Sequence, residues 1–367
     1  MNAFDVQIVG AGIVGKSLAL AFARLGLKVA LQQPAAASRD AGDVRAYALN
    51  PASVALLRSL KVWDALPAHA ATAVYEMHVQ GDLAGSAIDF SAWQQRIGEL
   101  AWITDAAVLE RELGAAVRFA PHITVTTADV EATLTALCDG AASSRRAALG
   151  VGFDRQPYGQ RAIAARLVAA QPHQGIARQW FRAPDVLALL PFDAPEPDRS
   201  YALVWSMPQQ RADELMADDD AGFEHALIEA TGVADLKLAG ARAAWPLQLG
   251  RAERWCGPGW ALLGDAAHVV HPLAGQGLNL GLADVAALAR VVAEREPWRG
   301  IGEERLLRRY ARERAAPTWA MGETTDGLLR LFSHESTALR ELRNRGLTLV
   351  NRLTPVKRWL ASQALGS

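Results

Sequence analysis

The sequence is poor in the residues that build disulfide frameworks and metal centres. Its 367 residues include only two cysteines, Cys138 and Cys256, which stand far apart in the chain. Neither belongs to a Cys-x-x-Cys pair or stands near clustered histidines, which argues against a disulfide framework and against a thiolate metal site. We therefore expect two buried thiols and no bound metal.

Long apolar runs and a leader segment are also missing. No stretch approaches the roughly 20 uninterrupted apolar residues that span a bilayer. The first apolar run begins within four residues of the start, and no cationic segment with a small-residue cleavage site precedes it. The sequence therefore predicts a cytoplasmic protein without an export signal. A net charge of −1 gives no general attraction to nucleic acid, so no nucleic-acid partner is expected.

The chain does contain enough apolar residues to fill more than one core. Of its residues, 51% are hydrophobic and 21% are charged, which is typical of an α/β enzyme. Because single cores stop growing at about 250 to 300 residues, a chain of 367 residues predicts about two domains.

A glycine motif near the amino terminus has the context of a dinucleotide-binding turn. Gly10, Gly12 and Gly15 follow an apolar run over residues 4–9 and precede an Ala- and Leu-rich stretch over residues 17–25. The order strand, turn, helix lets a pyrophosphate approach the backbone at the positive end of the helix. Gln33 stands where such motifs usually have an acid for the ribose, and its amide can still hydrogen-bond a hydroxyl.

Two later segments carry residues suited to the same kind of ligand. The middle of the chain contains Asp139-Gly140-Ala-Ala-Ser143-Ser-Arg-Arg146. Asp265, at the end of an apolar strand, can accept hydrogen bonds from sugar-type hydroxyls, and the glycine loop after it exposes backbone N–H groups where a helix begins. This late segment contains Gly264, Asp265, Pro272, Gly275, Gln276, Gly277, Leu278 and Asn279.

These motifs, in this order, resemble those of the flavoprotein aromatic hydroxylases, and within them the ring hydroxylases of ubiquinone biosynthesis. The resemblance covers most of the chain and is most specific in the late segment. Asp43-x-Arg45-x-x-Ala48-Leu49 is also similar to a family segment, which implies that Arg45 lies against the flavin end of the cofactor. The resemblance implies that FAD is bound by Gly10, Gly12, Gly15, Gln33, Arg45, Asp139, Gly140, Gly264, Asp265, Pro272, Gly275, Gly277, Leu278 and Asn279.

The resemblance also implies the reaction. NADH or NADPH reduces the flavin, O₂ adds to form a flavin C4a-hydroperoxide, and a hydroxyl group passes to an electron-rich ring. Because the flavin performs this chemistry, no catalytic side chain is expected. The loop formed by Pro272, Gly275, Gln276 and Gly277 is expected to lie over the flavin.

Several other side chains are candidates for the surroundings of the flavin. We expect His268 and His271 to pack or to hydrogen-bond rather than to transfer protons, although histidine titrates near neutral pH. We also expect Trp245, Gln248 and His173 to line the substrate pocket.

The carboxyl-terminal segment is basic and has apolar residues at helical spacing. Between Arg340 and Arg358 the chain carries six basic residues against Glu341 alone. The segment resembles the ubiquinone branch, which implies a prenylated aromatic substrate. Residues 338–360 are a candidate for peripheral contact with the inner membrane, and a helix packed on its own FAD domain is the alternative. Association with other ubiquinone-biosynthesis proteins is a further expectation.

The predicted fold is α/β, with a Rossmann-like FAD-binding domain, an inserted antiparallel β-sheet substrate domain and a helical C-terminus. Alternation typical of strands over residues 74–92 and 161–246 interrupts the nucleotide-binding pattern, which resumes near residue 260. The FAD-binding parts are predicted at 1–73, 97–160 and 250–330, the substrate-domain parts at 74–96 and 161–249, and the tail at 331–367.

Two other functions fit the residues. One is an FAD monooxygenase that acts on a soluble phenolic substrate. The other is a degenerate relative that serves as a non-catalytic member of a ubiquinone-biosynthesis assembly. The second alternative rests on Gln33 and on the stretch 113–139, which is shorter than in the family.

Overall fold

The computed structural model describes residues 3–33, 43–81, 86–271 and 276–333. Pro272, Gly275 and the basic tail therefore lie outside the described residues. Among the residues that are described, no helix is long and apolar enough to cross a bilayer.

The chain forms eighteen strands and nine α-helices within the described residues. The strands are β1 Phe4–Val9, β2 Val29–Gln32, β3 Ala46–Leu49, β4 Ala71–Val74, β5 Glu76–Gln80, β6 Ala87–Ser91, β7 Ala101–Asp105, β8 Ile123–Thr126, β9 Ala132–Leu137, β10 Phe153–Val168, β11 Ile176–Arg182, β12 Asp185–Phe192, β13 Ser200–Pro208, β14 Lys237–Leu238, β15 Ala243–Ala252, β16 Cys256–Gly257, β17 Trp260–Leu262 and β18 His268–Val269. The helices are α1 Ile13–Arg24, α2 Pro51–Ser59, α3 Ala92–Gln95, α4 Ala106–Phe119, α5 Ser144–Ala148, α6 Gln209–Ala217, α7 Asp220–Thr231, α8 Gln276–Ala293 and α9 Glu304–Ser333.

A six-stranded sheet in the order β16-β17-β9-β1-β2-β8 forms the Rossmann-like part of the molecule. Every pair in it is parallel except β16 with β17. Its strands are short, nearly continuous apolar runs, as expected for a parallel sheet buried between helices. Helix α1 contacts α4 and α8, and α8 contacts α9, so that the helices enclose one large apolar core.

The second sheet has nine strands, with β18-β15-β10-β13-β12-β11-β5-β6 in order and β14 paired to β10. Its pairs are antiparallel except β11 with β5. Because side chains alternate along a strand, each strand presents one set of residues to each face. One face, with Trp180, Leu187, Leu203 and Trp205, is covered by α6 and α7.

A small antiparallel sheet, β3-β7-β4, lies between these two parts. Strands β4 and β7 contact β12 of the nine-stranded sheet, and β3 contacts α8 of the nucleotide part. A separate apolar cluster with Val74, Leu100, Ile103 and Phe192 fills this contact. The α/β class with an additional, largely antiparallel sheet is therefore confirmed.

Several predicted boundaries fall inside regular elements. The boundary at 160/161 lies within β10, the one at 249/250 within β15, and the one at 330/331 within α9. The first half of β10 already pairs with β15 from Phe153, with a register shift between Pro157 and Arg161. The sequence pattern follows the burial of the side chains. Burial changes within a strand, so the pattern does not mark the point where the chain leaves a sheet. The division into domains stays a prediction.

Candidate functional site

One large cavity connects the two main sheets. Its volume is about 1780 Å³, well above the roughly 300 to 1,000 Å³ of an ordinary small-ligand pocket. One end is formed by the turn after β1 and the ends of β2 and β9, and the other by the open face of the nine-stranded sheet. The cavity has room for a dinucleotide and a second ligand side by side.

The turn between β1 and α1 brings backbone against backbone. Gly10 has a φ of +105°, and a Cβ there would lie 2.4 Å from the carbonyl oxygen of Cys138 on the neighbouring chain segment. A Cβ on Gly15 would lie 1.9 Å from the carbonyl oxygen of Gly10. Glycine at both positions therefore lets α1 begin directly at the cavity, where its first N–H groups face a ligand.

The predicted residues divide between the cavity wall and the supporting structure. Nine of them line the cavity: Gly10, Gly12, Gln33, Arg45, Asp139, Gly140, Asp265, Gly277 and Leu278. Gly15, Gly264, Gln276 and Asn279 are described but lie outside the lining set. The contacts of all of them with a cofactor stay predictions.

Asn279 has a clear structural role. Its Oδ1 accepts hydrogen bonds from the Asn50 N–H at 3.0 Å and the Ser53 Oγ at 2.7 Å. Its Nδ2 donates to the carbonyl oxygen of Ala48 at 2.8 Å. Asn279 thus fastens α8 to β3 and to the start of α2.

The sequence did not single out the charged side chains at the nucleotide end. Lys16, Arg111, Arg118 and Arg145 line the cavity there, and Lys16 Nζ lies 3.2 Å from Glu110 Oε1. Residues 107, 110, 111, 114, 117 and 118 of α4 all reach the wall. Their helical spacing is a signal that could have identified this face of α4.

Arg45 lines the cavity in a fixed orientation. Its Nε donates to Asp43 Oδ1 at 2.8 Å and its NH2 group to Asp43 Oδ2 at 2.6 Å. This two-point pairing raises the pKa of Arg45 above its ordinary value, chiefly through the hydrogen bond to Asp43. Arg45 is therefore a permanent cation at the wall.

The Asp139-Gly140 segment is tied to the late motif by Arg146. The buried guanidinium of Arg146 donates to the carbonyl oxygens of Ala141 and Ala266, each at 2.8 Å. It also lies 3.8 Å from the centre of the Phe153 ring. Desolvation by burial lowers the pKa of Arg146. Arg146 thus supports the site, while Asp139 and Gly140 line it.

Asp265 presents its carboxylate to the cavity. The side chain is accessible to solvent and lines the cavity. Desolvation raises its pKa, and His268 and Arg45 act in the opposite direction. An accessible carboxyl group at this position can accept hydrogen bonds from hydroxyls of a bound cofactor.

Behind this turn lies a buried charged cluster, Asp284 with His268 and Arg314. Asp284 Oδ2 accepts from the Gly264 N–H at 3.0 Å and lies 2.7 Å from His268 Nε2. Asp284 Oδ1 accepts from Arg314 Nε of α9 at 2.8 Å. Although burial acts to raise the pKa of Asp284, attraction to His268 and Arg314 and their hydrogen bonds lower it. His268 stacks on Trp255 at 5.0 Å, so packing and hydrogen bonding occupy it, as the sequence predicted.

His271 differs from His268. It lines the cavity and is only 1% exposed, but neither ring nitrogen has a hydrogen-bond partner. The ring lies edge-on to Tyr158, with centroids 5.2 Å apart. Desolvation lowers the pKa of His271 to about 4, so the imidazole is neutral at neutral pH.

The sheet end of the cavity is mostly apolar. Trp245 and Gln248 line it as predicted, together with Met77, Ala162, Ala177, Arg178, Gln179, Val186, Ala188, Leu190, Val204 and Ser206. Small side chains in the middle strands leave a shallow floor. This wall suits a flat, apolar ligand.

His173 lies outside the lining set. It stands near Asp193 and Asp198, and the three could in principle hold a metal ion. His173 Nδ1, however, accepts the Gly175 N–H at 3.0 Å. Nε2 lies 3.4 Å from Asp193 Oδ1. A metal ion at Nε2 would require the tautomer with a proton on Nδ1, which would then face the Gly175 N–H.

The cavity as a whole fits FAD. Backbone N–H groups at the start of α1 suit a pyrophosphate, and the carboxylate of Asp265 suits the ribityl hydroxyls. The volume and the apolar sheet end leave space for a substrate beside the isoalloxazine ring.

Comparisons with known proteins agree with this geometry. A family model described as FAD binding domain matches residues 3–104 and 98–325. The chain is 32% identical to a ubiquinone hydroxylase, UbiL, of Rhodospirillum rubrum, over 99% of this chain and 90% of that protein. It is 30% identical to the 3-demethoxyubiquinol 3-hydroxylase of Escherichia coli, over 99% of this chain and 98% of that protein.

Solved structures share the fold. Pseudomonas aeruginosa PqsL in complex with 2-aminobenzoylacetate has a TM-score of 0.78 at 22% identity, covering 94% of this chain and 99% of that chain. The p-nitrophenol 4-monooxygenase PnpA of Pseudomonas putida has a TM-score of 0.76 at 17% identity, covering 100% of this chain and 99% of that chain.

The Asp284 cluster predicts a large effect of a nearly isosteric substitution. Asp284→Asn should lower the free energy of unfolding by about 3 to 5 kcal/mol, because it leaves the largely buried Arg314 without its counter-charge. Urea titration measures the change. Glu294→Gln, which removes an exposed partner of Arg290, is the control and should change stability by about 0.5 kcal/mol or less. A loss below about 1 kcal/mol in Asp284→Asn would contradict a structural role for the cluster.

The neutral state of buried His271 predicts acid sensitivity. Its pKa is about 4 in the folded protein and about 6.5 when the chain is unfolded. Between these values the unfolded chain binds more protons, so the free energy of unfolding falls as the pH is lowered through this window. The loss attributable to His271 is up to about 3 kcal/mol.

Denaturant titrations at pH 7 and near pH 4 measure this loss. His271→Leu should remove it and flatten the pH dependence, whereas the exposed control His122→Leu should keep the slope of the wild type. Equal slopes for wild type and His271→Leu would show that His271 does not titrate in this way.

Proposed function

Since this chain belongs to the FAD binding domain family and is an FAD-dependent monooxygenase, we propose that it hydroxylates the aromatic ring of a ubiquinone precursor. O₂ and a reduced nicotinamide are the co-substrates. The observation that carries the proposal is the continuous cavity from the glycine turn and Asp265 to the apolar sheet face. A dinucleotide bound at the first end would leave the apolar second end for a substrate.

The names of the relatives support the choice of substrate. A ubiquinone hydroxylase and a 3-demethoxyubiquinol 3-hydroxylase both match 99% of this chain. Ubiquinone precursors combine an electron-rich ring with a long apolar tail. The sheet end of the cavity, with its alanines and valines, offers an apolar wall for such a ring.

The protein's own part in the reaction is to bind, to orient and to keep water out. When bound, the flavin accepts electrons from the reduced nicotinamide and activates O₂ for transfer of a hydroxyl group to the ring. The turn at Gly10 and Gly12 would hold the phosphates, and Asp265 would accept hydrogen bonds from the ribityl chain. The apolar side chains of the sheet end exclude water from the place where the ring lies.

The two alternatives differ from this proposal in substrate or in turnover. A soluble phenol would need no apolar extension of the site for a tail. A non-catalytic role was suggested by Gln33 and the short stretch 113–139. In the structure this stretch contains strands β8 and β9. Strand β8 pairs with β2 and β9 pairs with β1. Gln33 lines the cavity. These observations favour a working cofactor site.

The purified protein tests the proposal directly. We expect nearly stoichiometric FAD, and oxidation of NADH or NADPH with O₂ consumption that a prenylated phenol stimulates. Asp265→Ala should weaken FAD binding roughly 10- to 100-fold, because a charged hydrogen-bond acceptor is lost. The exposed Asp64→Ala is the matched control and should bind FAD like the wild type.

Two results would count against the proposal. Protein that stays colourless with added FAD would favour the non-catalytic alternative. FAD-loaded protein that hydroxylates short soluble phenols and ignores prenylated ones would favour the first alternative.

We further propose peripheral contact with an anionic membrane surface, on the cytoplasmic side. The sequence of the tail, 338–360, is basic. Within the described residues, a surface depression of about 720 Å³ beside α9 is lined by one acid, Glu253, and by six arginines: Arg251, Arg299, Arg305, Arg308, Arg309 and Arg312. Some of these arginines pair with glutamates, while Arg251 and Arg305 are exposed. Such a surface attracts anionic headgroups. Each arginine close to the membrane surface contributes about 1 kcal/mol of binding free energy.

Vesicle sedimentation tests the membrane contact. The protein should sediment with vesicles that contain phosphatidylglycerol, less with phosphatidylcholine alone, and less at high salt. Replacing Arg305 and Arg312 by glutamate should lower binding more than tenfold, and Arg58→Glu, on α2, is the control. Binding that is independent of lipid charge would contradict the proposal. Association with other ubiquinone-biosynthesis proteins stays a prediction.

A further inference from the structure

His271 is an unsatisfied polar group in the wall of the site. The residue is 1% exposed, and both Nδ1 and Nε2 lack a hydrogen-bond partner. Buried polar side chains are nearly always hydrogen-bonded, so such an exception calls for an explanation. Since His271 lines the cavity, a ligand in the cavity is the natural partner.

The surroundings of His271 assign it to the sheet end of the cavity. Its ring meets Tyr158 edge-on, at 5.2 Å between centroids and an interplanar angle of 82°. Tyr158 in turn packs against a small apolar cluster that contains Val79, Phe181 and Val186. Val186 also lines the cavity, on the floor of the sheet. The aromatic substrate, rather than the phosphates of the cofactor, is therefore the expected hydrogen-bond partner of His271.

The chemistry of the imidazole limits what that partner can be. A neutral imidazole has one N–H donor and one acceptor nitrogen. A hydroxyl group also both donates and accepts, so the two are complementary. Burial holds the pKa of His271 at about 4, which keeps the ring in this neutral form.

Most of the other polar groups of the sheet end are neutral. Gln179 and Ser206 line the cavity from β11 and β13, opposite Ala188 and Val186 in the register. Arg178 is also among the lining residues, but it stands opposite Leu189, which belongs to the core under α6 and α7.

The charge of Arg178 is thus directed to the other face of the sheet. Its NH1 group donates to Tyr201 Oη at 3.2 Å, and Tyr201 belongs to that same core. Arg166 lies on the cavity-facing side of β10, but it pairs with Asp105 at 3.0 Å and is outside the cavity lining. Among the described residues of this face, no guanidinium without a carboxylate partner points into the cavity. A carboxylate bound there would lose its hydration without gaining a counter-charge.

We propose that His271 hydrogen-bonds the phenolic hydroxyl of the substrate, and that the sheet end selects a neutral phenol over a ring that carries a carboxylate. The inference rests on the proposed function and narrows its substrate class.

Three ligands that differ at one group test the proposal with the FAD-loaded protein. They are a short-chain prenylated phenol, its deoxy analogue with hydrogen in place of the hydroxyl, and the same phenol bearing a ring carboxylate. The dissociation constants are read from the change in flavin absorbance, without turnover. The wild type should bind the phenol roughly 10- to 100-fold more tightly than the deoxy analogue, and the carboxylate more weakly than the phenol by at least about tenfold.

Variants separate a hydrogen bond from a packing role. In His271→Leu the preference for the phenol over the deoxy analogue should fall to near one, while affinity for the deoxy analogue stays within about threefold of wild type. His271→Asn should keep part of the preference, because its amide can still donate and accept. The exposed His122→Leu should behave as wild type.

The outcomes distinguish this inference from the proposed function. An unchanged phenol preference in His271→Leu overturns the role of His271, and tight binding of the carboxylate overturns the selection of neutral rings. In both cases the enzyme can still hydroxylate prenylated phenols. FAD-loaded protein that binds none of the three ligands overturns the proposed function itself.

Discussion

The buried carboxylate of Asp284 is the interaction on which the site depends. It receives hydrogen bonds from the turn at Gly264, from His268 of β18, and from Arg314 of α9. Three separate parts of the chain therefore meet at one fully buried charge. The position of Asp265, which follows Gly264 directly, is fixed by this arrangement. The predicted cofactor contact at Asp265 is thereby placed on a turn that a buried hydrogen-bond network supports.

The cavity owes its chemistry to the two sheets that bound it. The parallel sheet ends in glycines and backbone N–H groups, which suit phosphate and sugar. The nine-stranded sheet offers small and apolar side chains on one face, because α6 and α7 cover the other. A polar cofactor and an apolar ring can therefore be held side by side, each in surroundings that match it. The alternation of side chains along β10, β12 and β13 produces this contrast.

Local patterns in the sequence predicted much of this structure. The strand, turn and helix at Gly10 to Gly15, the strand before Gly264 and the helix after it depend on short-range spacing, and all are present. The partners of Asp284 and the place of His271 depend on contacts across more than one element. Arg314 is 30 residues from Asp284, and Tyr158 reaches His271 from another strand. The spacing of residues along the sequence does not indicate which of them meet in such long-range contacts. These contacts are seen only in the folded structure.

Strand β10 runs without interruption from Phe153, beside the nucleotide core, to Val168 in the middle of the nine-stranded sheet. It pairs with β15 from Phe153 to Ala164, across one register shift. The two ends of the cavity are consequently connected by the backbone of one continuous strand rather than by a linker. A recombination event between them would have to cut this paired strand and disrupt its hydrogen bonds. Replacing side chains on the face that looks into the cavity changes the wall of the site and leaves the strand intact.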